Sequence, residues 1–151
     1  MRDRRFVAEH RGGPLGRDQH RQLMAWACDC AEHVIPLLTD SADGRLTAAL
    51  AVAKNWTVGK ASVGEAMKAS QAAHAAARDS HDQTAIFVAH SVGQAVATAH
   101  MADHSLGAAW YALKAVHNAG QSTESERKWQ DSRLPPDIRQ LVLSARKNRK
   151  I

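Results

Sequence analysis

The sequence lacks long apolar runs and has few aromatic residues. Aromatic side chains make up 5% of the chain, and no stretch approaches the roughly 18 consecutive apolar residues that a membrane-spanning helix needs. The arginines that follow Met1 precede no apolar segment of the kind found in secretory signal peptides. We therefore expect a protein without a membrane span that works in the cytoplasm.

Signatures of common catalytic machinery are also missing. There is no G-x-S-x-G nucleophile motif and no glycine-rich loop in a nucleotide-binding context. The two cysteines, Cys28 and Cys30, are two residues apart in a helical pattern, so their side chains point to different faces and cannot easily bond or share a metal. We expect reduced, partly buried thiols, no catalytic residue and no cofactor.

Small apolar residues, alanine above all, are what the sequence has in abundance. Apolar residues make up 44% of the chain and charged residues 23%, which is typical of a globular domain. Apolar positions recur at helical spacing in successive segments, and none alternates as a strand would. The sequence predicts an all-α fold, a single-domain irregular bundle of about seven alanine-rich helices with an extended N-terminal arm.

Capping residues predict where these helices begin and end. Asp18, Asp43, Ser62 and Ser122 are the expected N-caps. The long run from 82 to 119 must turn back on itself in a domain of this size, with Asp103 or Ser105 as the new cap. In chain order, the predicted helices lie at about 18–34, 43–58, 62–78, 83–102, 104–119 and 122–129, with a last helix after Pro136.

Both ends of the chain are basic, although the middle is slightly acidic. The net charge is +5. We expect an extended basic arm at 1–16, a helical domain at 17–146 and a basic tail at 147–151. Terminal clusters of this kind are typically solvated, and the alternative is an anchor for nucleic acid or an acidic partner. Exchange of the arm between two copies makes a homodimer possible.

The segment H-M-A-D-H at 100–104 is the sharpest candidate for chemistry. His100 and His104 are four residues apart, and such a pair can bind a metal from one face of a helix, with His74 as a third ligand and Asp103 as a further partner or base. The alternative is architectural. Asp103 would then cap the next helix and accept a hydrogen bond from a histidine, and these polar groups would fix the register of alanine-lined helices. We favour the second interpretation and expect no metal.

Glycine and tryptophan positions add expectations about packing. Gly93 and Gly107 interrupt helical runs at a cost of about 1 kcal/mol each relative to alanine, which close helix crossing is expected to offset. The tryptophans fall one to a helix, and we expect Trp129 to be exposed and available to a partner. The others are expected in the core, at Trp26, Trp56 and Trp110.

Several stretches together resemble the Imm-five-like immunity proteins of bacterial polymorphic toxin systems. They are A-V-A-K-N-W-T-V-G-K at 51–60, M-K-A-S-Q-A-A-H-A-A-A-R at 67–78 and S-V-G-Q-A-V-A-T-A-H-M-A-D-H-S-L-G-A-A-W-Y-A-L-K-A at 91–115. The opening R-F-V-A-E-H-R-G-G-P-L and the segment W-A-C-D-C-A are also similar to that family.

The resemblance implies a small all-helical bacterial protein that binds and neutralises a toxin domain. The matching motif residues are His74, His100, Asp103, His104 and Tyr111, which could mark either the fold or the contact surface. Inhibitors of nucleases are often acidic, whereas this chain is basic, which argues against a nuclease as the partner.

Three functions remain open from the sequence. The leading one is a non-catalytic immunity protein whose partner is a toxin protein. The second is a metal-dependent enzyme that uses His74, His100 and His104 with Asp103. The third is a nucleic-acid-binding module held by the basic ends, which has no recognisable motif to support it.

Overall fold

Seven α-helices follow one another in the computed structural model, which describes residues 2–151. They are α1 (Arg17–Val34), α2 (Gly44–Thr57), α3 (Val63–Asp79), α4 (Gln83–Ala97), α5 (His104–Asn118), α6 (Thr123–Ser132) and α7 (Pro136–Arg149). Within the described range the β pairing is limited to one bridge between Ala8 and Leu15. The prediction of a single all-α domain is confirmed.

Side-chain caps open four of the helices. Asp43, Ser62, Asp82 and Ser122 each accept a hydrogen bond from a backbone N–H in the first turn of the helix that follows. Ser62 also forms a capping box with Glu65, whose carboxylate accepts from the Ser62 N–H at 3.2 Å. These contacts satisfy backbone donors that a helix leaves free at its start.

The N-cap of the first helix lies two residues earlier than predicted. Gly16, not Asp18, is the N-cap, and the side chain of Gln19 accepts a hydrogen bond from the Gly16 N–H at 3.2 Å. Asp18 lies inside the first turn. A carboxylate there still interacts favourably with the positive end of the helix dipole.

The turn between α4 and α5 is longer than predicted. Helix α4 ends at Ala97 and not near residue 102. Asp103 occupies the N-cap position of α5, but its side chain makes no capping hydrogen bond. Its carboxylate instead pairs with Arg2 at 3.0 Å and with Arg149 at 3.8 Å. The predicted N-cap position of Asp103 is confirmed, but the expected side-chain capping bond is not formed, because the carboxylate pairs with two arginines from the chain ends.

Helix α4 lies at the centre of the bundle and packs against α1, α2, α3 and α5. Small residues let these helices approach closely enough for serines to reach a neighbour's backbone. Ser70 on α3 donates to the carbonyl of Gly93 at 2.8 Å, and Ser91 on α4 donates to that of Ala108 at 2.8 Å. These bonds satisfy buried hydroxyl groups and tie the three central helices together.

The N-terminal segment folds onto the bundle. Residues Arg4–Phe6 and Glu9–Arg11 form two short 3-10 turns. Phe6 and Leu15 are 1% and 2% exposed, and they belong to a second apolar cluster with residues of α1, α5 and α7. The segment expected as an extended arm is thus turned and packed, because these two side chains have apolar surface to bury.

No helix between residues 2 and 151 has the length and apolar character that a membrane crossing requires.

Candidate functional site

The four residues of the metal-site alternative contact different partners. The Nδ1 atom of His74 lies 2.7 Å from Nδ1 of His90, and that of His104 lies 2.8 Å from Oε1 of Gln94. His100 contacts Arg11, and Asp103 contacts the two arginines named above. In the part of the chain that the structure describes, no three histidine, cysteine or carboxylate side chains form a group that could hold a metal ion.

A row of polar side chains runs across α3, α4 and α5 instead. His74 on α3 meets His90 on α4, and Gln94 on α4 meets His104 on α5. These side chains are half-buried. We call these four residues the histidine row.

Two glycines make room for this row. A Cβ atom at Gly93 would lie 2.5 Å from Nε2 of His74, and one at Gly107 would lie 2.6 Å from Oε1 of Gln94. Neither distance is compatible with a side chain unless the neighbour moves. The glycines predicted to permit close helix crossing therefore accommodate polar side chains from the neighbouring helix.

Burial keeps these imidazoles neutral. Desolvation lowers the pKa of His74, His90 and His104, and for His74 the nearby His90 lowers it further. A neutral imidazole has one donor and one acceptor nitrogen, so the close His74–His90 contact suits a neutral pair in which one ring donates to the other. The contacts within the histidine row thereby join α3 to α4 and α4 to α5.

Aromatic side chains extend this surface along α4 and α5. The ring of Tyr111 lies 5.2 Å from that of His90, 6.4 Å from Phe87 and 5.0 Å from Trp110, measured between centroids. The ammonium group of Lys114 is 4.3 Å from the Trp110 centroid and 5.3 Å from that of Phe87. We call these five residues the aromatic face.

The exposure of the tryptophans differs from the prediction. Trp110 is 40% exposed, whereas Trp26 is buried, and Trp56 and Trp129 are half-buried. Trp129 stacks on His33 with ring centroids 3.4 Å apart, which covers one side of the indole. Trp110, not Trp129, is therefore the tryptophan most available to a partner.

The two basic ends meet on one side of the molecule. Arg2 and Arg149 share the carboxylate of Asp103, and Arg5 donates to the hydroxyl of Ser144 at 2.9 Å. Part of this positive charge is compensated, since Asp3 also pairs with Arg5 at 2.7 Å. These contacts hold Arg2, Arg5 and Arg149 at the surface of the domain, and the three side chains stay exposed to solvent.

The buried environment of the two cysteine thiols makes them unreactive. Cys28 and Cys30 are both free and buried. Desolvation raises the pKa of Cys28 to about 12 and that of Cys30 well above its usual value. Because the thiolate is the reactive form, neither is available as a nucleophile near neutral pH.

Comparison with protein families identifies the chain. Residues 13–137 match the model of the family described as "Imm-5 like putative immunity protein". The chain belongs to the Imm-5-like family. No curated protein and no solved structure gives a significant match. The matched region contains the histidine row and the aromatic face of this Imm-5-like protein.

Half of the residues at this site in the Imm-5-like protein are not among the candidates predicted from the sequence. His74, His104 and Tyr111 are among the predicted candidates, but their neighbours on α4 are not. Trp110 on α5 was expected in the core and is exposed. A signal was present in the sequence, because Phe87, His90 and Gln94 recur at the spacing of one helix face, and two of them are polar residues in a largely apolar helix.

The neutral histidines predict how stability depends on pH. His20, His74, His90 and His104 all have a pKa lowered by desolvation relative to the unfolded value of 6.5. The unfolded chain then binds more protons, so the free energy of unfolding should fall as the pH drops through 6.5 toward the folded pKa values. We expect a lower Tm at about pH 5.5 than at about pH 7.5 by calorimetry.

A matched variant tests whether the histidine row causes this loss. Replacing His74 and His90 together with glutamine should reduce the pH dependence of the Tm, because glutamine does not titrate. A Tm that is constant or rises on acidification would contradict the assignment of neutral imidazoles.

Proposed function

We propose that this Imm-5-like protein is a non-catalytic immunity protein that binds a toxin domain and neutralises it through the aromatic face. The observation that carries the proposal is the exposure of Trp110. This indole is 40% exposed on a face built from residues of α4 and α5, and it lies within the region that matches the family. Tryptophan is among the residues most enriched in the energetic centres of protein interfaces.

The aromatic face is organised before any partner arrives. Tyr111 packs edge-on against Trp110, and Lys114 lies over the same indole. Side chains that are held in place lose little conformational entropy on binding. This supports a surface that binds tightly without rearrangement.

The reactive groups of the chain support binding over catalysis. The thiols of Cys28 and Cys30 are protonated, and the imidazoles of His74 and His104 are engaged by His90 and Gln94. A non-catalytic inhibitor needs none of these groups to react. We place its action in the cytoplasm, where it would protect the producing cell from its own toxin.

The test is protection of growth. Where the neighbouring gene encodes a toxin domain, a bacterial host would express that domain with or without the wild-type chain. We expect the wild-type chain to restore growth and to form a stable complex with the purified toxin domain, with its stoichiometry measured by light scattering. Toxicity that persists beside well-expressed, folded chain would contradict the proposal, as would the absence of a complex.

A matched pair of variants tests the surface. Trp110→Ala should weaken binding by about 2 kcal/mol or more, which is roughly a thirtyfold loss of affinity. Val58→Ala is the control, because Val58 is 64% exposed and lies outside the aromatic face. Equal binding by both variants would exclude Trp110 as the anchor.

A further inference from the structure

A groove opens beside the aromatic face. It has a volume of about 430 Å³ and lies between α4, α5, the start of α6 and the end of the chain. The large apolar residues in its lining are Phe87, Trp110, Leu113 and Ile151. We call this feature the aromatic–basic groove.

The charged side chains of the groove are all positive. Lys114, Arg127 and Lys150 line it, and its lining contains no aspartate or glutamate side chain. Among residues 2–151, none of these three cations lies within 4.0 Å of a carboxylate, whereas Arg45, for example, pairs with two aspartates. The groove therefore presents positive charge that intramolecular ion pairs do not compensate.

Lys114 fixes part of this charge next to the apolar surface. Its ammonium group lies over the rings of both Trp110 and Phe87. A cation on an aromatic face keeps most of its charge available to a partner on the opposite side. A ligand that fits must therefore bring a negative group and an apolar group close together.

We propose that the aromatic–basic groove is the docking site for an acidic segment of the toxin partner. An apolar side chain of that segment packs against Trp110, and its carboxylates contact Lys114, Arg127 and Lys150. This inference rests on the proposed function and adds the chemistry of the partner. Charge complementarity carries it, since three cations surround an apolar surface with no acidic side chain in the lining.

The residues that line the groove favour a protein segment over a nucleic acid as its ligand. Single-stranded nucleic acid is bound by successive aromatic platforms along a charged track. Here Trp110 is the large aromatic residue that is prominently exposed, with Leu113 and Ile151 as the aliphatic residues of the lining, and polar side chains make up most of the rest. A single apolar anchor flanked by carboxylates suits this arrangement better.

The first experiment needs no toxin. The ¹⁵N-labelled full chain would be titrated with a short synthetic peptide in which aspartates flank a single phenylalanine. We expect the indole N–H signal of Trp110 to shift with this peptide and not with one that carries lysines in place of aspartates. The double variant Lys114→Glu with Arg127→Glu should lower the affinity about tenfold or more.

The control carries the same change in net charge. Lys60→Glu with Lys68→Glu reverses two exposed lysines outside the groove and should leave the affinity nearly unchanged. The inference would be overturned if the Trp110 indole N–H signal did not shift on addition of the acidic peptide. It would also be overturned if both double variants lost the same affinity for that peptide. Tighter binding of single-stranded oligothymidylate through the same signal would overturn it in favour of a nucleic-acid site.

The second experiment separates this inference from the proposed function. The same two double variants would be tested for binding to the toxin domain. If the wild-type chain and both variants bind the toxin domain equally, the proposed immunity function is supported and the groove is excluded as the docking site. If the wild-type chain does not bind the toxin domain, the proposed function fails, and the peptide titration still decides whether the groove takes an acidic segment.

Discussion

Replacing Trp26 with alanine should lower the free energy of unfolding by about 4 kcal/mol. Trp26 is 1% exposed and belongs to the apolar cluster that joins α1 to α5, α7 and the N-terminal segment. Its indole N–H also donates to the carbonyl of Gln130 at 2.8 Å, which ties α1 to α6. The substitution removes both the buried surface and this hydrogen bond.

Denaturant unfolding followed by circular dichroism would measure the effect, and Trp110→Ala is the matched control. Both variants lose one indole, but Trp110 is 40% exposed, so its removal should cost about 1 kcal/mol or less. Trp26→Phe should fall between them, because it keeps much of the buried surface and loses the donor. Similar losses at positions 26 and 110 would show that Trp26 is not a central element of the core.

The helices could be predicted because their start signals are local. Asp43, Ser62 and Ser122 cap helices in the structure as the sequence predicts, since each side chain bonds to backbone groups two or three residues away. The period of the apolar residues likewise depends on neighbours within one or two turns. Such contacts can be inferred without any knowledge of the tertiary fold.

Two of the differences from the prediction arise from contacts that are distant in sequence. Asp103 lies at the N-cap of α5 but makes no side-chain capping bond, because Arg2 and Arg149 reach its carboxylate from opposite ends of the chain. The N-terminal segment is not extended, because the second apolar cluster takes up Phe6. Neither partner can be deduced from spacing along the chain.

The candidate site was predictable in part for the same reason. His74 and His104 stood out by residue type, but their partners His90 and Gln94 lie on a different helix. The exposure of Trp110 depends on which side of α5 faces the bundle. In α5, alanines occupy so many positions that the apolar stripe does not define a single buried face.

The second large effect is expected at a buried polar network that links α6 to α5 and α7. Gln130 is 0% exposed, and its amide donates to the carbonyl of Ala109 at 3.1 Å and accepts from the guanidinium of Arg146 at 2.6 Å. Burial lowers the pKa of Arg146, and Asp131 at 3.2 Å opposes that shift. Gln130→Leu should therefore cost about 3 kcal/mol, because it leaves a buried charge with one partner fewer.

A double-mutant cycle distinguishes this loss from simple repacking. Arg146→Met removes the charge, and on its own it leaves the buried amide oxygen of Gln130 without its donor, at a cost of about 1 to 3 kcal/mol. In the double variant both polar partners are gone, so the combined loss should be smaller than the sum of the two single losses by about 1 kcal/mol or more. Equilibrium unfolding of the four proteins gives this coupling energy directly. Strictly additive losses would mean that the contact between Gln130 and Arg146 does not stabilise the junction of α5, α6 and α7.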